Sequence, residues 1–112
     1  SDESLDIKVN DNTSLVAIIT GNTFNQTGSA GTAESIDASI NSTGSFCLDL
    51  NSANTSGNTC PHGITITETA GTFNIEDIGG AAIPAATVDT FIEARNTGTA
   101  AVTGTFDSCN SH

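Results

Sequence analysis

The sequence contains no methionine, tryptophan or tyrosine, and its only cationic side chains are Lys8 and Arg95. Binding to nucleic acid or to an anionic membrane surface requires clustered lysine and arginine, so we expect neither as a partner. No apolar run approaches the roughly 18 residues of a membrane-spanning helix, and we therefore expect no membrane insertion. Thirteen acidic residues give a formal net charge of −11, which indicates a polar, self-repelling surface.

Residues suited to catalysis or metal binding are also scarce. Cys60 lies two positions before His62, but structural zinc needs four ligands in local pairs, and the sequence offers no second pair nearby. Glu76 and Asp77 lack the alternating spacing of a calcium loop. A glycosidase would need two facing carboxylates, and the chain shows no aromatic platform for a sugar. We therefore predict no catalytic, cofactor-binding or metal-binding residues.

Six short runs alternate apolar and polar residues over the first two-thirds of the chain. They read SLDIKV, SLVAII, SIDASI, SFCLDL, GITIT and TFNIE. A period of two over about five to six residues is typical of strands that bury one face. The segments between them are rich in Gly, Asn, Thr and Ser, which favour turns. We predict a mainly β protein with one domain over residues 1–112.

A repeat in the sequence favours stacked coils. Residues 14–23 read SLVAIITGNT, and residues 45–55 read SFCLDLNSANT. A β-solenoid requires such a unit, because each apolar row stacks on the next and buries a continuous core. Asparagine at the corner suits a left-handed bend and can stack on its equivalent in the next coil. We predict β-solenoid coils over residues 1–83, with an antiparallel β-sandwich as the alternative that the pattern leaves open.

The last third of the chain loses this alternation. IPAATVDTFIEARN predicts a capping α-helix over residues 84–96, since Pro84 is accepted in a first helical turn. Residues 99–109 are predicted to form a closing strand and tail. A helix across the end of a solenoid would shield its unpaired backbone edge and its exposed apolar row.

The periodicities also predict which side chains form the core. Period-two spacing and helical spacing each place a set of large apolar residues on single faces, where burial stabilises each by roughly 1.5–3 kcal/mol. These residues are Ile36, Ile40, Phe46, Leu48, Leu50, Ile64, Ile66, Phe73, Ile75, Val88, Phe91, Ile92 and Phe106.

The N-terminal run SLDIKV is the predicted assembly edge. Leu5, Ile7 and Val9 alternate along it, no helix precedes it, and Lys8 is its one protective cation. We expect this strand to pair with another copy of the chain or with a neighbouring coil of a longer chain.

Four segments and the terminal Cys109 resemble the C-terminal region of bacterial autotransporter-like and adhesin-like surface proteins. The segments are LVAIITGNTFNQTG, SFCLDLNSANTSGN, GTFNIEDIGG and ATVDTFIEARNTGTAAVTGTF. In those proteins, the coils of a right-handed parallel β-helix give way to a cysteine-containing strand, a short helix and a closing strand. The resemblance covers about residues 10–109. It implies a non-enzymatic adhesin stalk or cap, extracellular or at the cell surface, with no cofactor and a possible surface ligand.

Two other functions remain as hypotheses beside the one that the resemblance implies. The chain could be a self-assembling subunit of an extracellular filament, joined through end stacking or through pairing of its N-terminal strand. The lesser hypothesis is a polysaccharide-acting enzyme of the β-helix class.

Three cysteines allow one disulfide and one remaining thiol, and the sequence alone leaves three pairings open. Cys47 has the parity opposite to Phe46 and Leu48, so its thiol is expected to point away from the apolar row. A Cys47–Cys60 bond would leave Cys109 available for an intermolecular link. The resembling proteins place one cysteine in this strand and another at the end, which implies a Cys47–Cys109 bond and an oxidising environment.

Overall fold

The computed structural model describes residues 4–25, 34–51 and 57–110. These residues are mainly β, as predicted, with one α-helix among them. The elements are β1 Leu5–Val9, β2 Ser14–Ile18, β3 Ile36–Asp49, β4 Ile64–Glu76, β5 Ile83–Pro84, α1 Ala85–Arg95, β6 Ala100–Thr103 and β7 Thr105–Cys109.

Parallel pairing arranges these strands in two rows. The first row contains β1, the N-terminal part of β3, the N-terminal part of β4, and β6. The second row contains β2, the C-terminal part of β3, the C-terminal part of β4, and β7. Isolated parallel bridges align Thr23, Thr59 and Thr97 as a third row. Because β5 pairs antiparallel with β7, the β structure as a whole is mixed.

The predicted turns NSTGS and TETAG lie inside β3 and β4 and do not interrupt them. The register between the two strands shifts between Ile40 and Ser45, where the chain passes from the first row to the second. Gly71 has a φ of 72°, and a Cβ atom there would overlap the carbonyl oxygen of Ser42. Glycine is needed at this corner because the backbones of neighbouring passes approach too closely for a side chain.

A Gly71→Ala variant tests this close approach. We expect it to lower the free energy of unfolding by about 2–5 kcal/mol. Strain in the left-handed backbone accounts for roughly 1–2 kcal/mol of this loss, and overpacking accounts for about 1–3 kcal/mol. Gly79→Ala is the matched control, because Gly79 has a φ of 75° but nothing within 4 Å of an added Cβ. In urea denaturation, Gly79→Ala should lose only the part of the free energy of unfolding that comes from backbone strain. Equal losses in the two variants would mean that the corner is not closely packed.

The inward side chains of both rows form one hydrophobic core. The rings of Phe46 and Phe73 stack with centroids 4.7 Å apart, and Phe106 meets Phe73 edge-on at 5.3 Å. All the predicted core residues are buried except Phe91, which is partly buried against the core with the Arg95 guanidinium 3.7 Å from its ring centroid. Four further buried members were not predicted as core: Val9, Ala38, Cys60 and Ile83.

The C-terminal end of the sheet is covered by β5 and α1. Helix α1 packs against β6, with Val88 and Ile92 buried, and β5 pairs with β7. The predicted helix is confirmed, although Pro84 precedes its first residue and belongs to β5. The segment predicted as a closing strand and tail, residues 99–109, contains two strands divided at Gly104, whose φ of 119° breaks the extended backbone.

A disulfide joins Cys47 in β3 to Cys109 at the end of β7, which confirms the predicted pairing. The two residues are 62 positions apart in the sequence, and their Cα atoms are 6.2 Å apart. The bond therefore ties the C-terminal strand to a strand two positions away in the same row.

Candidate functional site

The N-terminal end of the sheet is uncovered among the described residues. Within the ranges that the structure describes, β1 and β2 pair with β3 alone, each on one side. The backbone N–H of Leu5 donates to the carbonyl oxygen of Ser35 at 3.1 Å. Hydrogen bonds to one parallel neighbour come from alternate residues, so Asp6 and Lys8 direct their N–H and C=O groups to the open edge.

The predicted assembly residues lie in this edge strand, but their side chains face the core. Val9 is buried, and Leu5 and Ile7 are partly buried against the core. Pairing of this strand would therefore use its backbone edge and not these apolar side chains. The edge presents unpaired backbone groups with the exposed side chains of Asp6 and Lys8. Assembly through this edge stays a prediction.

Strand β2 forms a second part of the open edge, which the sequence-based prediction missed. Val16 and Ile18 are 54% and 52% exposed. They lie at the parity opposite to Leu15 and Ala17, which pack against the core. The signal was present in the run VAII, where apolar residues occupy both parities of one strand.

A ladder of asparagine side chains runs beside the third row. Nδ2 and the backbone N of Asn22 donate to Oδ1 of Asn58 at 3.1 and 3.2 Å. Nδ2 and the backbone N of Asn58 donate in the same way to Oδ1 of Asn96 at 2.9 and 2.8 Å. Nδ2 of Asn58 also donates to the carbonyl oxygens of Ile19 and Leu50. Asn58 and Asn96 are buried, so the polar groups around them need hydrogen-bond partners within the protein. The asparagine ladder supplies such partners at successive corners.

The repeat in the sequence predicted a stacked asparagine corner. The Asn-Thr pair that ends its second copy begins at Asn54, which lies outside the described residues. In the structure Asn22 stacks on Asn58, 36 positions later, and Asn58 stacks on Asn96, 38 positions later. The triplet Gly-Asn-Thr at residues 21–23 and again at 57–59 was the signal that could have identified the ladder.

The asparagine ladder has a direction, and its first member is open. Asn22 donates to Oδ1 of Asn58, and Asn58 donates to Oδ1 of Asn96, so each of these two oxygens accepts two hydrogen bonds. Oδ1 of Asn22 accepts none from the residues that the structure describes. Asn22 is exposed, and it lies in the same outermost pass as β1 and β2.

Two other groups contain side chains of the types that bind metal. Cys47, Glu76 and Cys109 are the only described residues whose metal-ligating atoms converge, but both sulfurs belong to the disulfide and are not thiolates. His62 is partly buried beside Glu34 in a pocket of about 190 Å³. No third ligand joins these two among the described residues.

Cys60 is a free, fully buried cysteine beside the third row. Burial raises the pKa of its thiol to about 11, from an ordinary value of 9.0. The unfolded chain therefore loses this proton first as the pH rises, and stability falls from about pH 9 to about pH 11.

We expect the folded chain to resist thiol reagents near pH 8 and to react after denaturation. The free energy of unfolding should decrease between about pH 8 and about pH 10, and the decrease should be smaller in a Cys60→Ala variant. Denaturation at the two pH values provides the measurement. Rapid modification of the native thiol, or the same pH dependence in both chains, would contradict the assignment.

Comparisons with known proteins give no family assignment. No family model matches the chain, and neither a curated protein nor a solved structure matches it. The resemblance to bacterial surface proteins therefore stays a prediction. Over the described ranges, no helix combines the length and apolar character needed to cross a membrane.

Proposed function

We propose that the chain is a non-enzymatic structural module of an extracellular or cell-surface protein, folded as a short right-handed parallel β-helix with a capped C-terminal end. The three parallel rows support this fold, since a chain that winds in coils revisits each row once per coil. Parallel crossover connections are right-handed in about 98% of cases, which supports the hand.

The difference between the two ends of the sheet carries the proposal. At the C-terminal end, β5 pairs with the free edge of β7, and α1 packs against β6. At the N-terminal end, β1, β2 and Asn22 leave backbone and side-chain groups without partners among the described residues. A solenoid needs an end that stops further stacking, and this module provides one. Its other end suits attachment to more β structure.

The disulfide and the surface composition support an extracellular location. Cys47–Cys109 is a bond that persists in oxidising compartments and is rare in reducing ones. The excess of acidic over basic residues favours a surface that repels other molecules of the same kind.

A filament subunit is the second candidate, and the open N-terminal edge is the observation in its favour. A filament by end stacking needs two complementary ends, whereas the C-terminal end here is covered by α1 and β5. We therefore expect negative-stain microscopy at neutral pH to show no fibres. Fibres would favour the filament subunit over the capped module.

The cap is tested by a Val88→Asp variant, which places a charge where α1 meets the core. We expect the helix to detach from the sheet, and circular dichroism should show that the β structure is retained. The exposed apolar end should then bind a hydrophobic dye and drive association in sedimentation measurements. Ala94→Asp, at an exposed position of α1, is the control and should leave the chain unchanged. Behaviour equal to the control, or complete unfolding of Val88→Asp, would contradict a separable cap.

A further inference from the structure

We propose that the open edge of β1 pairs antiparallel with β1 of a second copy of the chain. In this head-to-head dimer, Asp6 of each chain faces Lys8 of the other. The inference rests on the proposed function, because it requires one covered end and one open end.

The backbone geometry decides which residues can bond to the second copy. Leu5 bonds to Ser35 and is aligned with Ile36, so Leu5, Ile7 and Val9 direct their N–H and C=O groups toward β3. The groups of Asp6 and Lys8 point the other way. An antiparallel partner would exchange pairs of N–H to O=C bonds with these two residues.

The charges of the same two residues select one register. If Ile7 lies opposite Ile7 of the second copy, both outward residues form hydrogen-bonded pairs, and each pair joins Asp6 to Lys8. A register that sets Asp6 opposite Asp6, or Lys8 opposite Lys8, places like charges face to face, which is destabilising. The strand is therefore complementary to itself in a single antiparallel register.

The neighbouring strand strengthens this complementarity. Asp6 is aligned with Asp37 of β3, so two carboxylates lie side by side on the outer face of the first row. Lys8 of the second copy would bring a cation next to this acidic pair. Local pairing of this kind is needed because each chain carries a net charge of −11 and repels its copies at a distance.

The covered C-terminal end opposes stacking of a third chain at that end. Pairing of β1 with β1 is isologous, since the same strand contributes from both copies. The dimer then presents α1 and β5 at both of its outer ends, where these two elements cover β6 and β7 among the described residues. The expected product is a dimer.

Charge reversals at the two positions separate the specific contact from the effect of net charge. We expect Asp6→Lys and Lys8→Asp each to weaken dimerisation by about tenfold or more, because each sets like charges opposite one another. Asp6→Lys does so although it makes the chain less negative. The double variant restores opposite charges and should return the dissociation constant to within about threefold of the original. Asp89→Lys on α1 makes the same charge change as Asp6→Lys and should not weaken the dimer.

Sedimentation equilibrium over a range of concentrations gives these dissociation constants, and carbodiimide cross-linking locates the contact. Lys8 is the only lysine of the chain. In a mixture of nitrogen-15 and unlabelled chains, we expect a mixed-isotope peptide that joins Lys8 to Asp6. A folded chain that stays monomeric at every concentration, a tighter dimer for Asp6→Lys, or cross-links that exclude Asp6 would overturn the proposal. None of these results would affect the cap, which the Val88→Asp variant tests separately.

Discussion

Replacing Asn58 with alanine is expected to lower the free energy of unfolding by about 3–5 kcal/mol. The substitution removes the carboxamide that bonds to Asn22 and Asn96 and to the carbonyl oxygens of Ile19 and Leu50. Asn58 is only 1% exposed, so water cannot replace all of these bonds without opening the corner. Urea denaturation followed by circular dichroism provides the measurement.

Asn22→Ala is the matched control for Asn58→Ala. It removes the same side chain from the same ladder, but at the exposed, open end. We expect a loss of about 1 kcal/mol or less, because water can reach the groups left behind. If the two variants were destabilised equally, burial within the asparagine ladder would not be the source of its contribution.

Breaking the Cys47–Cys109 bond is expected to cost about 4 kcal/mol of stability. The residues are 62 positions apart, and closing a loop of that length restricts the unfolded chain by roughly this amount in the entropic model. A Cys47→Ala/Cys109→Ala variant should unfold at a lower urea concentration than the parent chain. Both chains should carry Cys60→Ala, so that the remaining thiol cannot exchange with the disulfide. Unchanged stability would show that the bond does not constrain the unfolded chain.

The sequence predicted the elements of this fold better than their connections. The alternation of apolar and polar residues predicted both parts of β3 and of β4, because inward positions such as Phe46 and Phe73 must be apolar when one face of a strand is buried. The same pattern could not show that β3 and β4 continue through their Gly-containing corners. That continuity depends on contact between passes distant in sequence, such as Gly71 against Ser42.

The repeat in the sequence predicted stacked asparagines at the corners, but it did not predict that Asn22 pairs with Asn58. Strands β2 and β3 pair at a separation of 31 residues, whereas Asn22 and Asn58 are 36 residues apart. Connections between rows can differ in length while the paired strands keep their alignment, so the separation of 31 residues between β2 and β3 does not align Asn22 with Asn58. Likewise, β5 is too short to leave an alternating pattern, and it is a strand because Ile83 and Pro84 pair with Phe106 and Thr105 of β7.

The central claim is that parallel strands stack with one open end and one covered end. Amide hydrogen exchange at single residues tests this claim most directly. Lys8 lies on the open edge, whereas the backbone N–H of Ser108 in β7 donates to the carbonyl oxygen of Gly80 at 3.1 Å. In dilute, monomeric protein, we predict fast exchange at Lys8 and protection at Ser108 approaching that of β3 and β4. Equal protection at the two positions, or faster exchange at Ser108, would contradict the account.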